Sequence, residues 1–346
     1  KNDVKKNWSG YFVSLNRNKK SISLNLKNEN DLAFLKKLIA HSDVLVENFR
    51  PGVMDKLGLG SEELRGINAN LIYTAISGFG TEGPMSSAPA YDPIIQAHAG
   101  VAATQGKGDE PAFMRTLLCD KITGYTACQA VTSALFLRER TGIGQHIDLS
   151  MIDSGLFFIF LDGFQNHTLL SDDHEQGGML IDILYDPWVC SDGGVIISAG
   201  SYEMQKRFLT SIDMQHLLED ERFATFENQM RNIHLLKGLV SERCAELSCN
   251  DMVGRLREVD VPCAKVMTRD EVLAQEQLSA NGTVDIYDHP IAGSSRRILA
   301  PPLFGGERLE PGSGAPTHGQ DTREVLESFG LSEAEIIKLS SDGVVA

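Results

Sequence analysis

Asp153 closes the segment Gly144-Gln145-His146-Ile147-Asp148-Leu149-Ser150-Met151-Ile152-Asp153, where a brief strand over His146 to Leu149 gives way to a helix from Met151. The run that follows, Gly155-Leu156-Phe157-Phe158-Ile159-Phe160-Leu161, is apolar on every side and predicts a buried helix. A carboxylate beside such a helix is expected to be partly desolvated, while the helix N-terminus keeps it ionised. An ionised, poorly hydrated carboxylate is what nucleophilic attack by Asp requires. Asp at a helix start also serves as an ordinary cap.

Other chemistries lose their support. The sequence contains no GxxxxGK[ST], no GxGxxG after a strand, no HExxH and no GxSxG. Asp172-Asp173-His174-Glu175 lies among glycines and reads as a solvated loop rather than a ligand set, so no metal is expected. The second chemical signal is charge. Residues 1–27 carry seven basic side chains (Lys1, Lys5, Lys6, Arg17, Lys19, Lys20 and Lys27) against Asp3 alone, a local +6 in a chain of net charge −15. Such an island in an acidic protein is either a solvated face or a site for an anionic small molecule.

These residues need a framework. Ser21 to Leu26 alternates with period two and predicts a strand, followed by a helix capped at Asn30 or Asp31. Asp43–Glu47 and Leu71–Ile76 read as further strands, ended by Asn48-Phe49-Arg50-Pro51-Gly52 and by Ser77-Gly78-Phe79-Gly80. Helical patterns run over 92–104 and 120–140, and from Met151 to about Leu170. Strands alternating with helices predict an α/β fold with a parallel sheet and flanking helices, whose ligands gather beyond the carboxyl ends of the strands. Residues 185–275 predict a smaller α/β domain, with short strands and Pro/Gly-rich connections from Asn281 and a helical tail from Asp321. The expected divisions are 1–180, 181–290 and 291–346.

The blocks Asn16-Arg17-Asn18-Lys19-Lys20-Ser21, Val46-Glu47-Asn48-Phe49-Arg50-Pro51-Gly52, Ser77-Gly78-Phe79-Gly80 and Gly144 to Asp153 occur in that order. They are followed by Ser191-Asp192-Gly193-Gly194, by Gly319 and by Thr322-Arg323-Glu324-Val325-Leu326. In this pattern the chain resembles the class III CoA-transferases, the family of formyl-CoA, carnitine and succinyl-CoA-dependent transferases. The resemblance implies that Asp153 attacks an acyl-CoA thioester to give an aspartyl-acyl anhydride and then an aspartyl-CoA thioester that passes CoA onward. It implies CoA contacts from Leu24, Asn25, Leu26 and Lys27, from Asn48, Phe49 and Arg50, from Lys56, and from Tyr91 and Asp92. Gly177-Gly178 is the expected substrate loop, whose backbone amides would stabilise oxyanions. Coenzyme A and acyl-CoA enter as substrates, with no permanently bound cofactor. The family also implies an interlocked-ring homodimer and a strand–helix unit ahead of Lys1. A Lys found in some members two residues before Tyr91 is Pro89 here.

The same superfamily contains 2-methylacyl-CoA racemases, which need two acid–base groups on opposite faces of the α-carbon. Their His falls at Tyr91 here, a weak base with an unperturbed pKa of about 10. Their Glu aligns with Tyr202, beside Glu203. This favours a transferase, with a racemase or a CoA-binding homologue without turnover as alternatives. For a dicarboxylate acceptor, Arg207 or Arg115 would pair with the far carboxylate.

Composition narrows the setting. With 32 basic and 47 acidic residues, the chain is an unpromising nucleic-acid partner. The apolar run at 155–161 is far short of the roughly 20 residues that span a bilayer. Six cysteines without a CxxC pair predict reduced thiols in the cytoplasm.

Overall fold

The computed structural model describes residues 8–106, 110–171 and 185–341. Three strands, β1 (Val44–Glu47), β2 (Ile72–Ser77) and β3 (His146–Ser150), form a parallel sheet in the order β1-β2-β3. The registers Glu47↔Ala75 and Ala75↔Asp148 place these three residues in one row across the sheet. The chain divides into two units, Lys1–Thr168 with Thr283–Ala346, and Leu169–Gly282.

In the first unit, α1 (Glu29–Ala40) and α2 (Ser61–Ile67) join the sheet through Ile39, Leu59, Leu64, Leu71 and Tyr73. Helix α1 is capped by Asn28, whose side chain accepts from the Asn30 and Asp31 amides, two residues earlier than the first expected cap. A separate cluster of Ile95, Ala99, Val101, Cys119 and Ile159 is built from α3 (Asp92–His98), α4 (Leu118–Thr141) and α5 (Met151–Gly163). The helix expected over 92–104 is broken at Gly100, which takes φ 83° beneath Phe164. A Cβ there would approach the Phe164 Cζ to 2.7 Å.

The expected strand at Ser21–Leu26 does not form. Side chains of the C-terminal segment take its backbone donors: Ser21 N–H donates to Asp321 Oδ2 at 2.7 Å and Ser23 N–H to Thr322 Oγ1 at 3.1 Å. The Asp31 carboxylate takes the Asn25 N–H at 2.6 Å, so the segment has no ladder to offer a neighbour. Leu24 and Phe34 instead meet Leu326 and Ile336 in a third apolar cluster.

The second unit has an antiparallel sheet, β4 (Trp188–Cys190), β5 (Gly193–Ile197) and β6 (Cys263–Lys265), with α6 (Tyr202–Ser211), α7 (Ile233–Glu246) and α8 (Cys249–Glu258). Its core is one continuous cluster that includes Val195, Phe208, Leu209, Phe223, Val240, Cys244, Met252 and Leu256. All six cysteines are free thiols. Among the described residues, no helix is long and apolar enough to cross a membrane.

Candidate active site

Asp153 stands in the first turn of α5 and is capped into place by Ser150, the last residue of β3. Ser150 is buried and extended (φ −101°, ψ 145°); its Oγ accepts the Asp153 amide at 3.1 Å. The same hydroxyl donates to the Asp153 carboxylate. The carboxylate therefore accepts a side-chain hydrogen bond in the first turn of a 13-residue helix. Ser150 was missed in the sequence, although the S-x-x-D spacing before an apolar run is the signal of a reciprocal cap.

Three close approaches hold this turn. Ile152 N–H donates to the Gly78 carbonyl at 3.1 Å, tying α5 to the loop after β2. Gly78 abuts Ala90: a Cβ at Gly78 would lie 2.2 Å from the Ala90 Cβ. Gly155 lets α5 rest on α3 and α4, because its Cβ would lie 3.0 Å from Ala99 Cβ and 3.4 Å from Cys119 Sγ.

One expectation is overturned here. The apolar helix after Asp153 is not buried in the chain: Phe157 is 84% exposed, Leu161 79% and Phe158 58%. Only one stripe, with Ser154, Gly155 and Ile159, faces inward. Asp153 is exposed too, so the desolvation expected of it is absent from the single chain. An apolar run without periodicity marks a helix with no wet face, and says nothing of which molecule covers it.

The residues expected to hold CoA lie at different places in the first unit. Asn48, Phe49 and Arg50 are exposed on the loop beyond the carboxyl end of β1, with the Phe49 amide bonded to Glu47 Oε2 at 2.7 Å. Lys56 is exposed one turn later, where its amide reaches the Gly52 carbonyl at 3.2 Å. Leu24 and Leu26 are half-buried, whereas Asn25 and Lys27 are exposed in a turn in which Asn25 Oδ1 accepts the Lys27 amide at 3.1 Å. Among the described residues, Lys27, Arg50 and Lys56 have no salt-bridge partner. Tyr91 is 77% exposed at the N-cap of α3.

Asp92, also expected among the CoA contacts, has its carboxylate turned inward. It is buried, with Oδ1 accepting from Gln96 Nε2 at 2.6 Å and Oδ2 from the Asp120 amide at 3.0 Å. Its carboxylate is spent inside the unit, and in turn it pushes up the Asp120 carboxyl, to which burial contributes most. Gly177-Gly178 lie outside the described residues.

A cavity of about 400 Å³ opens beside the β1 loop, lined by Glu47, Asp55, Tyr73, His146 and Asp148 among others. His146 Nε2 lies 3.5 Å from Asp148 Oδ1. Burial pushes the Glu47 carboxyl up against the opposing bond from the Phe49 amide. Burial, then the charges of Glu47, Asp55 and Asp148, push the Tyr73 hydroxyl up to about 12. Three carboxylates make this cavity a poor seat for phosphates. The strand registers, invisible in the sequence, assemble this acidic row.

The family model for CoA-transferase family III matches residues 1–322. The chain belongs to this family. Membership makes it an enzyme that transfers CoA between an acyl-CoA and a carboxylic acid. An acyl-CoA transferase of Fusarium pseudograminearum is 29% identical over 341 residues, covering 97% of this chain and 75% of the relative. An acetyl-CoA:oxalate CoA-transferase of Acetobacter aceti is 33% identical over 296 residues, covering 81% and 75%. A succinyl-CoA:glutarate CoA-transferase of Mus musculus is 29% identical, covering 97% and 78%. Among solved structures, a CAIB/BAIF family protein from Brucella suis superposes with a TM-score of 0.80 at 30% identity, over 93% of this chain and 84% of that one.

Proposed function

We propose that Asp153 is the covalent nucleophile of this CoA-transferase. Its carboxylate oxygen attacks the thioester carbonyl of the donor; the C–S bond breaks, its electron pair leaves as CoA thiolate, and a mixed anhydride forms. The thiolate then attacks the Asp153 carbonyl carbon, expelling the donor acid as a carboxylate and leaving an aspartyl-CoA thioester. The acceptor carboxylate runs these two steps in reverse, forming the new acyl-CoA and freeing Asp153. An anhydride lies close in energy to the thioester it replaces, so each step is reversible.

The observation that carries this reading is the exposed Asp153 carboxylate on the α5 N-terminus, oriented by Ser150. The Ser150 hydroxyl supports the anion before attack and bonds less strongly once the oxygen is acylated. Gly177-Gly178 is the segment proposed to meet the oxyanions with backbone N–H groups. Unpaired Arg50, Lys56 and Lys27 are proposed to meet the CoA phosphates, with Phe49 and Leu24 to Leu26 near its adenine. The protein works on its own substrates without a resident cofactor, in the cytoplasm.

We also propose a homodimer, of the interlocked form that the family resemblance implies. What supports this is that Leu156, Phe157, Phe158 and Leu161 of α5, and Phe136 and Leu137 of α4, are large apolar side chains left exposed by their own chain. A second copy over them would supply the desolvation of Asp153 that the single chain lacks.

The test is one incubation in deuterated water with several acyl-CoAs and a pool of free carboxylic acids, every CoA ester being read by mass spectrometry. New acyl-CoA species that vanish in Asp153→Ala are the expected result. Deuterium at the α-carbon without acyl exchange would overturn it in favour of a racemase.

A further inference from the structure

The core of the second unit leaves a cavity of about 120 Å³ beside β4, β5, α6 and α7. Trp188, Phe208, Phe226 and Met230 form much of its wall, and Phe208 also belongs to the continuous apolar cluster. Trp188 and Phe208 meet edge to face, with ring centroids 5.5 Å apart. The space arises where the chain leaves β5 through two small residues, Ala199 and Gly200; a Cβ at Gly200 would meet nothing within 4 Å. An apolar cavity of roughly 150 Å³ takes up benzene, so this one is on the scale of a single aromatic ring.

Besides the Trp188 indole, the polar side chains among the described lining residues are Lys237 and Gln205. Lys237 brings no net charge, because its Nζ donates to Asp186 Oδ2 at 2.8 Å. An anion would have to compete with that carboxylate, so the lining suits an uncharged guest. Gln205 is under-used. Its Nε2 donates to the Ala199 carbonyl at 3.4 Å, a long hydrogen bond, and among the described residues its buried Oε1 has no partner. A buried acceptor left unmet costs free energy, and the terminal torsion of Gln is soft enough to turn the amide toward a group that meets it. A hydroxyl both donates and accepts, so it complements either half of that amide.

We infer that this cavity binds a small, uncharged aromatic alcohol, with the ring among Trp188, Phe208, Phe226 and Met230 and the hydroxyl on the Gln205 amide. All of these residues lie in the second unit, and none has a part in acyl transfer. Ring faces and a polarisable thioether fit a flat guest. A single polar group in an apolar wall then sets the choice between guests of equal shape. Phenol and toluene are such a pair, alike in ring and bulk and different in one O–H.

The test titrates the full chain with phenol, toluene and benzoate. The chain has two tryptophans, so Trp8→Phe leaves Trp188 as the single indole, and its emission is followed. Phenol is expected to shift that emission saturably and to bind at least as tightly as toluene, with benzoate at least about tenfold weaker than phenol. Gln205→Leu should weaken phenol about tenfold, as for loss of one hydrogen bond, and leave toluene unchanged, so that the order of the two guests inverts. Toluene binding thereby also reports that the variant keeps its fold, and Gln205→Met, closer in shape, should behave alike. An emission that phenol does not shift, or a phenol affinity undiminished in both variants, would overturn the inference. So would benzoate binding more tightly than phenol, which would make the cavity a site for an acid at Lys237. Loss of toluene together with phenol in both variants would reduce Gln205 to a packing residue and overturn it as well.

Discussion

Around the parallel sheet, burial pushes the carboxyls of Glu47 and Asp120 up, and Asp120 is pushed further by the charge of Asp92. In the second unit, the Arg222 and Lys265 side chains, helped by backbone amides, hold Asp220 and Glu271 down at about 2. Arg255 and Arg243 likewise lower Asp213. The cores differ in the same sense. The second unit closes one continuous apolar cluster, whereas the first divides its core among three and leaves Phe157, Phe158 and Leu161 in the open. The second unit thus sets its lowered carboxylates against cations around one apolar cluster, whereas the first keeps Glu47 and Asp120 raised by burial and the α5 aromatics exposed.

The sharpest separation of the two roles comes from Asp153→Ala. CoA exchange is expected to fall by at least about a thousandfold, as for loss of a covalent nucleophile. Unfolding in urea should shift by less than about 1 kcal/mol, because only an exposed first-turn charge is lost. A large stability loss with activity retained would make Asp153 a cap and nothing more.

Next in size is a pair of aromatic truncations. Phe223→Ala, at a fully buried side chain of the second unit, should cost about 3–5 kcal/mol in urea unfolding. Phe157→Ala should cost no more than about 0.5 kcal/mol in the dissociated chain, and instead weaken self-association in sedimentation. Equal losses in the two variants would erase the contrast between a closed core and an open face.

Gly155→Ala is a smaller perturbation at the join of α3, α4 and α5. The new Cβ meets Ala99 Cβ at 3.0 Å, a contact that only helix displacement relieves, so a loss of about 1–3 kcal/mol is expected. Calorimetric unfolding measures it, and an unchanged transition would show that α5 does not depend on that close approach.

The subtlest test is acid titration. Carboxyls held below their ordinary range contribute stability above that range and lose it as pH falls toward about 2; this is the case of Asp220 and Glu271. Glu47 and Asp120 work in the opposite direction: their raised values mean that stability declines as pH rises through them and is regained on acidification. Protease susceptibility from pH 5 to pH 2 should therefore increase first in the second unit. Glu271→Gln should flatten that unit's acid response, and a first unit that opens earlier would reverse the assignment.

Local pattern reached a good part of the fold. The β-branched runs at 44–47 and 72–77 and the change of period at 146–151 describe β1, β2, β3 and the start of α5, because strand and helix preferences act between near neighbours. Asp153 was legible for the same reason, since its place at a strand-to-helix switch is a local property. Ser21–Leu26 was misread. It has a strand's alternation, but its amides belong to Asp321 and Thr322, some 300 residues away in the chain. No period within six residues reports that.

What the sequence determined by itself is the supply of groups: a carboxylate on a helix start, a basic stretch, an apolar helix without a polar side, and the order of motifs that marks the family. The tertiary structure decided which of them are available. It buried Asp92 and spent it on Gln96 and Asp120, engaged Arg207 and left Arg115 free, and set Glu47, Ala75 and Asp148 in one row through strand register. It also left the α5 aromatics uncovered by their own chain. Hydropathy and charge belong to a residue, whereas exposure and pairing depend on neighbours that only the folded chain brings within a few ångströms.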